Sequence, residues 1–110
     1  MKTIKNFSPE YKNINKYVDS VVIPHLLRES DQNIDLFVNL RDGTSYSFTV
    51  STPDDIKEMM QRDGLYHFIS PGLIIVKAIN LESILSAIEE CLKYVDNKSF
   101  PLDHFGVLQR

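Results

Sequence analysis

Cysteine is almost missing from this chain of 110 residues: Cys91 stands alone, which excludes an internal disulfide framework. The three histidines, His25, His67 and His104, lie too far apart for metal-ligand spacing, so neither a metal site nor a cofactor is expected. Glycine is scarce as well. Gly43, Gly64, Gly72 and Gly106 are too scattered for a phosphate-binding loop. No apolar run approaches the roughly 20 residues a membrane helix requires. The lysines of Met1-Lys2-Thr3-Ile4-Lys5 have no apolar stretch behind them, so the expectation is a cytoplasmic protein without a secretory signal. There is no repeat and no Pro/Gly/Ser linker. One domain spanning residues 1–110 is the natural reading, with loosely ordered ends at 1–8 and 108–110.

The formal net charge is −3, and it is unevenly spread. Lys2, Lys5, Lys12 and Lys16 face only Glu10 in the first sixteen residues. The remainder is acidic, with Asp54, Asp55 and Glu58 close together and Glu89 beside Glu90. Such a body repels nucleic-acid phosphates and attracts a basic protein.

Ser8 and Pro9 suit a helix start, and Tyr11, Ile14, Val18, Val21 and Val22 follow at helical spacing, with a kink or break expected at Pro24. A hairpin comes next. Ile34, Leu36, Val38 and Leu40 alternate, as do Tyr46, Phe48 and Val50. A two-residue Asp42-Gly43 turn would place Val38 beside Ser47. The loop Arg41-Asp42-Gly43 pairs Val38 with Tyr46 and Leu36 with Phe48, and it puts glycine at the left-handed third position. Phe37 then falls among Asp35, Asn39, Ser45, Ser47 and Thr49 on the polar face.

Thr52-Pro53-Asp54-Asp55 opens a second helix: a threonine cap, proline at the first position and carboxylates at the positive end of the dipole. Gly64 stops it. Tyr66-His67-Phe68-Ile69 reads as a short strand. Leu73-Ile74-Ile75-Val76, apolar on both faces, reads as a central one. Asn80 caps a last helix whose stripe is Leu81, Ile84, Leu85, Ile88, Cys91, Leu92 and Val95, and the apolar residues of the tail suffice to dock it back on the body. The resulting α-β-β-α-β-β-α order implies an α+β fold: a mainly antiparallel sheet of about four strands with helices packed on one side.

Few side chains are left for catalysis. Cys91 lies on the apolar helical stripe, where burial raises a thiol pKa. Asp54, Asp55 and Glu58 complement a helix dipole and are expected to be exposed carboxylates, unlike a buried general acid. Phe37 fits recognition better, as an aromatic anchor on a polar sheet face. Whether the first helix covers that face is left open by the sequence.

Asp42-Gly43 followed by Tyr46 and Phe48, Thr52 opening a helix with Ile56 and Met60, then Tyr66 and Phe68, Leu73-Ile74-Ile75-Val76, Ile84 and Ile88 form an ordered pattern. From Asp35 to Leu92 it resembles small bacterial immunity proteins encoded beside toxins, in contact-dependent growth inhibition and other polymorphic toxin systems. The resemblance implies a non-enzymatic protein that docks on a cognate toxin domain, such as a basic nuclease, and blocks it. Phe37, Asp54, Asp55 and Glu58 are the residues expected to contribute to that contact. The alternative is a non-catalytic regulatory or structural subunit acting as a homodimer.

Overall fold

The hairpin carries the register that its turn chemistry requires. In the computed structural model, which describes residues 1–110, strand β3 (Asn33–Leu40) pairs antiparallel with β4 (Ser45–Ser51), and Val38 faces Tyr46 while Leu36 faces Phe48. Gly43 has φ +93°, and the Leu40 amide donates to the Thr44 carbonyl at 2.8 Å to close the loop. Ile34, Leu36, Val38, Phe48 and Val50 are all buried on one face.

The first expected helix is a helix only in part. Helix α1 covers Lys12–Tyr17, and Val18–Ile23 turns into strand β2, which pairs with β3. Ser8 is not the cap: α1 starts after Tyr11 without a side-chain cap. The physical reason lies in composition. Val18, Val21, Val22 and Ile23 are β-branched and stiff, and β3 would otherwise present a bare edge to water. A bulge between Val18 and Ser20 accommodates Asp19.

Both chain ends join the sheet, in place of the loose ends expected at 1–8 and 108–110. Strand β1 (Lys2–Ile4) pairs with β2 along one border. At the other border β4 holds two partners end to end. Strand β5 (Leu73–Ile75) runs parallel to Thr49–Ser51, and β6 (Val107–Gln109) runs antiparallel to Ser45–Ser47. The sheet therefore has six strands rather than about four, in the order β1-β2-β3-β4 with β5 and β6 both on β4. The α+β class and the mainly antiparallel character hold, since β4–β5 is the one parallel pairing.

Two further expectations are corrected here. Tyr66–Ile69 forms no strand, and Tyr66 and Ile69 stand out in solvent. Leu73–Val76 is not central: β5 is a three-residue border strand with Ile75 exposed. The element order is accordingly β-α-β-β-β-α-β-α-β, with a 3-10 turn at Leu102–His104 before the last strand.

Helix α3 (Leu81–Asp96) lays Ile84, Leu85, Ile88, Cys91 and Leu92 onto the apolar sheet face, and α1 packs beside it through Ile14. Asn80 caps α3 by accepting from the Ser83 amide at 2.8 Å. Helix α2 (Pro53–Asp63) follows β4 and buries Asp55 and Ile56. Its cap and stop are as expected, with Thr52 accepting from the Asp55 amide at 3.3 Å and Gly64 at φ +66°. Leu102 and Phe105 bring the tail back onto the core. No helix is long and apolar enough to cross a membrane.

Candidate interaction site

The sheet face away from α1 and α3 is left uncovered, and Phe37 is at its middle. Alternation along β3 sends Ile34, Leu36 and Val38 inward and Asn33, Asp35, Phe37 and Asn39 outward. Because α1 packs against α3 on the inner face, it cannot shield Phe37, which is 42% exposed. Val22 flanks the ring on one side and Ser47 on the other, and Val107 lies beyond Ser47 in the same row.

The polar side chains around Phe37 bond mostly to one another. The Thr49 hydroxyl donates to Asp35 Oδ1 at 2.7 Å, and the Ser45 hydroxyl donates to Asn39 Oδ1 at 2.8 Å. Asn39 Nδ2 in turn donates to Ser20 Oγ at 3.1 Å, and Gln109 Nε2 to Ser47 Oγ at 2.9 Å. These cross-strand pairs fix the orientation of the groups that surround the ring. An aromatic side chain is thus held within an ordered polar surround.

The acidic start of α2 lies elsewhere on the surface. Asn33 and Ser51 face each other at the end of the sheet, four positions along β3 from Phe37, or about 13 Å at the usual strand rise. Asp55 reaches this row, accepting from Ser51 Oγ at 2.7 Å and from Asn33 Nδ2 at 3.1 Å. It is 8% exposed, so the expectation of a surface carboxylate is overturned for Asp55. The cause is its place in the helix. Asp54 and Glu58 share the outward side and remain exposed, while Asp55 is rotated toward the strand end it pins. Of the four residues singled out from sequence, Phe37, Asp54 and Glu58 are accessible, and Phe37 stands apart from the other two.

Elsewhere the titratable groups are dispersed. Burial pushes the Cys91 thiol up to about 11, far from a reactive thiolate. His25 Nδ1 bonds the Leu26 carbonyl at 2.8 Å, His67 is exposed in the loop before β5, and His104 stacks near Phe100 at 5.5 Å between ring centroids. No group of three His, Cys, Asp or Glu side chains is disposed to hold a metal ion.

The largest cavity, about 640 Å³, was not foreseen from sequence. It lies on the helical side, between the segment that follows β1 and the first turns of α3, with Ile4, Phe7 and Leu85 lining one part and Glu10, Tyr11 and Glu82 the other. Its two walls come from residues seventy or more positions apart, which no local pattern connects. No protein-family model, curated protein or solved structure matches the chain.

Proposed function

We propose that the protein acts by docking on another protein, and that as an immunity protein it neutralises a cognate bacterial toxin domain. The single observation that supports this reading most is the accessible Phe37 ring inside an ordered, self-bonded polar surface. An aromatic anchor of this kind supplies binding energy out of proportion to its area. The surrounding hydroxyls, amides and carboxylate already have partners in the free protein, so desolvating them on docking leaves few bonds unmade. The acidic balance of the chain, −3, favours a basic toxin domain and accelerates encounter at low salt. Asp54 and Glu58 add to that steering from the far end of the surface, while Asp55 serves by holding α2 in place.

The test is co-expression with the C-terminal domain of the toxin encoded by the adjacent gene. The wild-type chain is expected to restore growth and to bind the domain one to one. Phe37→Ala is expected to weaken binding by at least about 30-fold, the consequence of losing a hot-spot anchor of about 2 kcal/mol. Its fold should persist, with a stability change within about 1 kcal/mol. Failure of the wild-type chain to protect would refute the immunity reading. Full protection and unchanged affinity in Phe37→Ala would remove that face from the contact. A tight homodimer in sedimentation, independent of concentration, would favour the regulatory-subunit reading instead.

A further inference from the structure

The cavity on the helical side has walls of mixed character, apolar at Ile4, Phe7 and Leu85 and acidic at Glu10 and Glu82. The chain leaves β1 at Ile4 and crosses in front of α3 before entering α1, and the crossing is held by its own hydrogen bonds. The Tyr11 amide donates to the Ser8 carbonyl at 3.0 Å, and Asn15 Nδ2 donates to the carbonyls of Ser8 and Tyr11, both at 2.9 Å. The wall is therefore preformed, as in most small binding sites, and the volume of about 640 Å³ falls within their usual range. Ile4, Phe7 and Leu85 make the apolar part.

Beyond Tyr11 the depression continues into a second one of about 420 Å³, and Glu10, Tyr11 and Glu82 line both. Across the two there are four carboxylates, Glu10, Glu82, Glu89 and Glu90, against Lys12 and Lys93. Two of the four are engaged: Glu89 by the amides of Asn13 and Ile14, and Glu90 by Lys93 at 3.6 Å. Glu10 and Glu82 form no ion pair within the chain. The Tyr11 phenol is held above its ordinary pKa by its partial burial and by Glu10, Glu82 and Glu89 around it, which marks the junction as a place that favours positive charge.

We infer that this groove receives a protein segment carrying an apolar side chain next to an arginine. The apolar side chain fills the space beside Phe7 and Leu85. The guanidinium lies against the Tyr11 ring and is shared by Glu10 and Glu82, a combination of stacking and forked hydrogen bonding that arginine supplies and lysine does not. This surface is on the opposite side of the sheet from Phe37, and the inference stands independently of the immunity reading.

The probe is the peptide acetyl-Leu-Arg-Leu-Arg-amide, titrated into the full chain at low salt and followed by amide NMR shifts. Shifts are expected at Phe7, Tyr11, Glu82 and Leu85, with affinity falling as salt rises. The double variant Glu10→Gln/Glu82→Gln should weaken binding at least fivefold, and Phe37→Ala should leave it unchanged. Phe7→Ala should also weaken it; if that variant loses its fold, the charge variant alone decides. Equal binding of acetyl-Leu-Glu-Leu-Glu-amide, or undiminished affinity in the charge variant, would overturn the assignment. So would self-association of the chain that disappears in the same variant, because a second copy would then be the occupant.

Discussion

Glu89 offers the sharpest test of how the short helix is held. Helix α1 has six residues, too few to persist alone, and no side chain of its own caps it. The Glu89 carboxylate, on α3, takes that role from across the structure, accepting from the Asn13 amide at 3.2 Å and the Ile14 amide at 3.1 Å. The other end of α1 is tied to the same helix, with Asp96 accepting from Tyr17 Oη at 2.8 Å and from Lys16 Nζ at 3.2 Å. Glu89→Ala removes both amide bonds where Ile14 enters the core. Bonds to a charged acceptor contribute about 1.5–3 kcal/mol each, and caps about 1 kcal/mol. Two such bonds at the lower end would give about 3 kcal/mol and a single cap about 1 kcal/mol, and the long distances place the pair between them, at about 2 kcal/mol. Glu89→Gln keeps one acceptor oxygen and should cost about half. For a chain of this size, 2 kcal/mol corresponds to a fall in Tm of about 8–10 °C. Glu90→Ala, one position on and bonded only to Lys93 at its exposed end, should change stability by less than about 0.5 kcal/mol. Thermal and urea melts of the three variants, with hydrogen exchange at Asn13 and Ile14, provide the measurement. Glu89→Ala melting within 2 °C of wild type, or Glu90→Ala costing as much, would refute the capping argument.

Three other outcomes are expected. Gly106→Ala places a Cβ 2.6 Å from Phe48 Cζ, so β6 must shift off β4; a loss of about 1–3 kcal/mol should appear in urea melts, together with faster exchange at Val107–Gln109. Cys91, with its thiol near 11, should have roughly one thousandth of its population as thiolate at pH 8, and its labelling by a disulfide reagent at that pH should run far slower in the folded chain than in the urea-unfolded one. Asp42, held below 3.8 by the Thr44 hydroxyl and amide, and Asp96, held below 3.8 by Tyr17 and Lys16, both have depressed folded pKa values. Their stabilisation is complete above the ordinary carboxylate range and lost as pH falls through the lower folded values, so Asp42→Asn/Asp96→Asn should flatten the acid limb of a stability–pH curve.

The legible parts of the fold are those fixed by short-range chemistry. The Arg41-Asp42-Gly43 loop sets its register because a slip of one residue would send Phe48 and Val50 outward. The caps at Thr52 and Asn80 and the stop at Gly64 depend on residues within four positions, and all are found where the sequence puts them. Strand β2 reads as helix because Tyr11, Ile14, Val18, Val21 and Val22 satisfy a helical period even though the last three are β-branched; the neighbour that decides the matter, β3, lies beyond a loop. Leu73–Ile75 reads as central since it is apolar throughout, and nothing local reveals that β6 takes the other half of the same border. Strand β1 has one half-buried apolar residue, Ile4, too little for any pattern. At the candidate site, Phe37 was legible through alternation. The inward turn of Asp55 was not, because Ser51 and Asn33 draw it in by tertiary contact.

Strands β5 and β6 meet β4 from opposite directions, and Gly72, at φ +70° and within 3.1 Å of the Ser47 carbonyl from its would-be Cβ, marks where they abut. With β1 also three residues long, each of the border strands β1, β5 and β6 ends before a fourth residue. A foreign backbone that pairs on β1, β5 or β6 meets a ladder of at most three residues, too short a template for those strands to grow a fibre.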